Sequence, residues 1–132
     1  LKAGGSLGFG LGHLGGEAKA RPAVRETVRL VTLDGFAAEA GFLRLDFLKA
    51  DIEGWEIRLL RGAMDSVARF RPAILLELVT AHLKRAGTAP EEAWERLTPL
   101  GYTAIRLDGE TRAAPKFAGD GDYLFHCAAR HG

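Results

Sequence analysis

The sequence is poor in several things at once. It has one cysteine, Cys127. A lone cysteine excludes an internal disulfide and a cysteine-based zinc site. It fits a reducing compartment, so a cytoplasmic location is the expectation. No apolar run approaches the roughly 20 residues of a membrane span, and no membrane partner is expected. There is no long run of like charge, and the net charge is +1. That balance excludes an electrostatic nucleic-acid binder. The chain begins at Leu1, and its one methionine is Met64. We therefore expect a fragment whose N-terminal part is missing. The rest is ordinary for a globular chain: 132 residues, 47% apolar and 27% charged. That is enough for one domain, or part of one, with a buried core.

Residues 1–27 form a glycine-rich region without clear periodicity. Within it, Gly10-Leu11-Gly12-His13-Leu14-Gly15 matches the dinucleotide fingerprint G-x-G-x-x-G, with Asp34 further on. The motif needs a strand before it and a helix after it. Too few residues precede it, and Pro22 interrupts the segment after it, so a flexible loop is the preferred reading. Val28–Leu33 is rich in β-branched residues and predicts a strand. Thr32 or Asp34 then caps a short helix over Gly35–Ala40, ended by Gly41.

The stretch from Asp46 to Glu56 organises the rest. It predicts a strand at about 46–51 that gathers charge at its far end, then a glycine turn, then a helix from Trp55. Leu59, Leu60, Ala63, Met64 and Val67 form a core-facing helical stripe. Phe70-Arg71-Pro72 stops it. Ala73–Val79 is a nearly continuous apolar run, which suits a parallel strand covered on both faces. A polar linker at Lys84–Ala89 leads to Pro90 and a helix carrying Trp94 and Leu97, closed by Gly101. Tyr102–Leu107 and Tyr123–Cys127 are two further strands. The alternation predicts an α/β fold with a largely parallel sheet and a terminal antiparallel pair.

Chemistry is expected at strand ends, where open α/β sheets bind ligands. Lys49 and Asp51 are two residues apart and share a face. An ion pair between them would explain both charges inside a covered sheet; a ligand site at Asp51 is the reading we prefer. Glu56 suits the positive end of the following helix. Glu53 precedes Gly54, whose missing side chain lets another group approach the backbone closely. Glu77 lies near the end of the next strand, facing the same crevice as Asp51 if the strands are neighbours. Carboxylates so placed serve as general bases, metal ligands or acceptors. No metal is assigned. His82 lies on the same side of the sheet.

Leu33-Asp34, the block Asp46–Glu56, Leu60-Arg61-Gly62-Ala63 and Arg71–Leu78 together resemble the C-terminal half of FkbM-type methyltransferases. The likeness spans roughly residues 28–107, and residues 28–132 would then be that half-domain. Ala50 departs mildly from the isoleucine common in the family. The resemblance implies a Rossmann-like class I methyltransferase sheet with its N-terminal strands missing. It implies S-adenosylmethionine as cofactor and a small-molecule or sugar hydroxyl as methyl acceptor. Lys49, Asp51 and Gly54 would contact the cofactor, and Asp51, Glu53 and Glu77 would be catalytic. The glycine loop and the acidic residue that hold the cofactor in the family's first half have no counterpart here. Two other readings compete: a glycoside hydrolase with Glu53 and Glu77 as its carboxylate pair, and a non-catalytic partial domain.

Overall fold

The computed structural model describes residues 30–127. The glycine-rich region and its G-x-G-x-x-G motif lie outside the described residues. The elements run in the order α1 (Leu33–Ala40), β1 (Phe47–Ala50), α2 (Glu56–Arg61), α3 (Met64–Phe70), β2 (Ala73–Leu78), α4 (Thr80–Arg85), α5 (Glu91–Leu97), a 3-10 turn (Thr98–Leu100), β3 (Tyr102–Leu107), β4 (Thr111–Ala113) and β5 (Gly121–Cys127).

The strands form one sheet in the order β1-β2-β5-β3-β4. β1 and β2 pair in parallel, Phe47 opposite Ala73 through Ala50 opposite Leu76. β5 is antiparallel to both β2 and β3, and β4 is antiparallel to β3. The sheet is therefore mixed, not largely parallel. β1, β2 and β3 run one way, but β5 inserts between β2 and β3 and reverses both pairings. The expected antiparallel pair of final strands is present, Tyr102 opposite Cys127 through Leu107 opposite Asp122.

One face of the sheet carries Leu48, Ala50, Ile74, Leu76, Tyr123 and Phe125, all buried. These join one core cluster with Leu33 and Ala37 of α1, Ile57 and Leu60 of α2, Val67 of α3, Leu83 of α4 and Leu97 of α5. Trp94 closes it, edge-on to Tyr123 and Phe125, with its indole N–H donating to Ala114 O at 2.9 Å. The opposite face is less covered: Leu75, Ile105 and Leu124 are half-buried, and Phe47 and Lys49 are exposed. β2 thus alternates buried and half-buried positions rather than being covered on both faces.

Leu30–Thr32 are not a strand, and Leu33 already starts α1. The reason is a cap: Thr32 Oγ1 accepts the Gly35 N–H at 3.0 Å. Side-chain capping competes with the β preference of a branched residue and wins here. Gly41 ends α1 in the left-handed region, φ 71°. The expected helix from Trp55 to Phe70 is two helices, broken at Gly62-Ala63. Thr32 packs there, since a Cβ on Gly62 would meet Thr32 Cγ2 at 2.9 Å. The Asp34 N–H donates to Gly62 O at 2.9 Å. The Asp34 carboxylate then accepts the Asp65 and Ser66 N–H groups at 3.0 and 2.7 Å, capping α3 from another element. Asp34→Ala is expected to cost about 1 kcal/mol, read by urea denaturation. No change in the midpoint would mean that water replaces the cap without loss.

Helix α4 occupies part of the segment that the sequence presents as a polar linker. Its first turn is held by Asp120, which accepts from Thr80 N at 2.9 Å and from Thr80 Oγ1 at 2.8 Å. These hydrogen bonds, the backbone one first, hold the Asp120 carboxyl below its ordinary range.

Candidate active site

The site lies where β1 and β2 end. Asp51 follows Ala50, which is paired with Leu76, so the register carries Asp51 alongside Glu77. On the other flank Glu77 is directly opposite Asp122 of β5. Residues opposite one another project to the same face. Glu77 and Asp122 therefore share the less covered face of the sheet, and Asp51, one residue past the end of β1, follows beside them. Sequence reasoning found the first two and missed Asp122. Only strand pairing reveals it, because Asp122 sits in a segment that reads as turn.

Asp51 lies close enough to Glu77 to govern its protonation. Two acceptor-only carboxylates cannot bond to each other, so a hydrogen bond between them forms only when one is protonated. The Glu77 carboxyl is accordingly pushed up to about 7. The hydrogen bond with Asp51 is the largest cause, followed by burial and by the charges of Asp51, Asp122 and Glu56. A carboxyl raised in the folded state binds more protons there than in the unfolded chain, between its ordinary pKa and about 7. Stability therefore falls as pH rises through that window and levels off above it.

The turn leading from Asp51 into α2 has its own geometry. Glu53 is exposed with φ 51°, and Gly54 is buried with φ 108°. The Glu56 side chain points back into this turn. Its Oε2 accepts the Ile52 N–H at 2.8 Å and its Oε1 accepts the Gly54 N–H at 2.9 Å. Glu56 is 1% exposed. Burial pushes its carboxyl up, and the amides of Ile52, Glu56 and Gly54 oppose that shift. Sequence reasoning assigned Glu56 to the helix dipole and missed this inward role.

Gly54 does allow a close approach, and the approaching group is the protein itself. A Cβ at Gly54 would stand 2.4 Å from the His82 carbonyl oxygen. The start of α4 thus packs directly on the turn. Lys49 is exposed one pleat before Asp51, and no Lys49–Asp51 ion pair forms among the described residues. β1 is an edge strand among the described residues, so its charges meet solvent and need no buried partner. Trp55 is half-buried, with the Arg58 guanidinium 5.2 Å from its ring centre. Among the described residues, no group of three or more histidines, cysteines and carboxylates is arranged to hold a metal ion. No described helix is long and apolar enough to cross a membrane.

The chain is an α/β domain with a mixed sheet, and acidic residues stand at the end of its two parallel strands, where open α/β sheets bind ligands. The Methyltransferase FkbM domain model matches residues 3–104. The chain belongs to that family, and the resemblance seen in the Asp46–Glu56 block is confirmed. No curated protein and no solved structure matches the chain.

Proposed function

We propose that this chain is the strand-end half of an S-adenosylmethionine-dependent O-methyltransferase acting on a hydroxyl of a small molecule or sugar. The observation that carries the reading is the Asp51–Glu77 carboxyl pair at the end of the parallel strands β1 and β2, in a chain of the FkbM methyltransferase family. In the Rossmann-like arrangement that the family implies, β1 would be the fourth strand and β2 the fifth.

The donor set suits a cationic cofactor in part. Asp51 and Glu53 are exposed and offer carboxylate oxygens to an ammonium group. Lys49 is exposed on the same face, available to a carboxylate. Gly54 enters as the former of the turn, because its N–H is taken by Glu56 and its open side by His82. When bound, S-adenosylmethionine supplies the methyl group. The protein's share is to orient the acceptor hydroxyl and to take its proton. A base whose pKa lies near the working pH does this best, and Glu77 at about 7 meets that condition. Beside Asp51, Glu77 keeps its proton below that pH and is the free base above it.

The family match does not favour the glycoside-hydrolase reading. The non-catalytic reading is tested directly. Calorimetric titration with S-adenosylmethionine, followed by transfer of its labelled methyl group to a panel of sugar and small-molecule alcohols, is expected to show saturable binding and product. No binding by this chain or by a longer form carrying upstream sequence would remove the methyltransferase reading.

A further inference from the structure

The turn that presents Asp51 is closed by a single buried side chain. Glu56 stands at the first position of α2 and reaches back two and four residues, one oxygen to each of two amides. The backbone closure within this turn is long, Trp55 N to Ile52 O at 3.3 Å. Glu53 and Gly54 both adopt positive φ within it, a conformation that an isolated turn does not hold cheaply for a glutamate.

We propose that Glu56 is a positioning residue for the Asp51–Glu77 pair: by holding the Ile52 and Gly54 amides it fixes the direction in which the chain leaves β1, and so seats Asp51 against Glu77. Glu56 itself touches no substrate. The role of the pair as base rests on the function proposed above; the positioning does not. The chemistry of the side chain is matched to the task. Both oxygens act as acceptors, so the ionised form satisfies both amides at once. Aspartate keeps the charge but is one methylene too short to span both amides from the same position. Glutamine keeps the length but turns an NH2 group toward one of two N–H donors.

The test reads Glu77 by carboxyl-carbon NMR titration of the full 132-residue chain. The groups that face Glu77 are Asp51 after β1, Asp122 on β5 and Glu56 on α2, and Asp122 is left in place throughout. In Glu56→Asp the Glu77 midpoint is expected to fall by about one unit, because Asp51 swings away. In an Asp51→Asn background the same Glu56→Asp change is expected to move it no further. An unchanged midpoint in Glu56→Asp would overturn the proposal. So would an equal shift in the Asp51→Asn background, which would mean that Glu56 acts without Asp51. If the Glu56 variants do not fold, amide exchange in the unaltered protein decides. The Ile52 and Gly54 amides are then expected to be protected well above the Glu53 amide, and equal exchange at all three overturns the proposal. None of these readouts needs cofactor, so failure here leaves the methyltransferase reading to its own titration.

Discussion

Glu77→Gln is expected to lower the methyl-transfer rate by about a hundredfold or more, the usual contribution of a positioned base, while leaving S-adenosylmethionine affinity within about threefold. Glutamine keeps the shape and accepts a hydrogen bond but cannot take a proton. The unaltered protein should show a rate that rises with pH through about 7, where Glu77 becomes free base. In Asp51→Asn that rise should move to lower pH, because the charge that helps hold the Glu77 proton is removed and the asparagine N–H can donate to the ionised Glu77. Stability should respond in the opposite sense. At pH 8 the ionised Glu77 faces Asp51 and Asp122, and removing its charge should stabilise the fold by about 1 kcal/mol, solvent screening at a half-open site included. At pH 4.5 that gain should shrink, since Glu77 is then protonated in the folded state. A Glu77→Gln protein with an unchanged rate would remove Glu77 from the chemistry. One with no stability gain at pH 8 would show that the charges are fully screened.

The second large effect is Gly54→Ala, expected to destabilise the protein by about 3 kcal/mol or more. Two costs add. The backbone sits at φ 108°, where any Cβ is strained. The new Cβ would stand 2.4 Å from the His82 carbonyl oxygen and 2.8 Å from its carbon, and neither is a flexible side-chain end that can step aside. Gly109→Ala separates the two costs. Gly109 has φ 102° with nothing within 4 Å of a Cβ, so it should lose only about 1 kcal/mol. Urea denaturation of both variants checks this. Equal losses would mean that α4 gives way freely before the added methyl and that its seat on the turn is loose.

The stretch from Asp46 to Glu56 was legible because strand, turn and helix each carry a local signal. Alternation, glycine and a new period announce them in order. Asp51 and Glu77 stood out because a carboxylate at the end of an apolar strand is costly without a purpose. Gly41, Pro90 and Gly101 marked helix limits for equally local reasons. The notion that β2 is covered on both faces failed because a run such as Ile74-Leu75-Leu76 reads the same whether one face or two are packed. The break at Gly62-Ala63 was hidden because its cause, the docking of Thr32 and Asp34, lies some thirty residues away in the chain, at a separation of 31 for the Asp34–Asp65 bond.

The residue sequence by itself therefore determined most of the strands and helix limits, the family and the two carboxylates at the strand ends, since each rests on side-chain chemistry read within a few residues. The tertiary structure alone decided three things. β5 lies between β2 and β3, which makes the sheet mixed and brings Asp122 beside Glu77. The space at Gly54 belongs to His82. Glu56 faces inward to the turn. Each is a relation between groups whose proximity is set by strand pairing and packing. Local sequence carries propensities, and it does not carry the register or the neighbours that set one acid beside another.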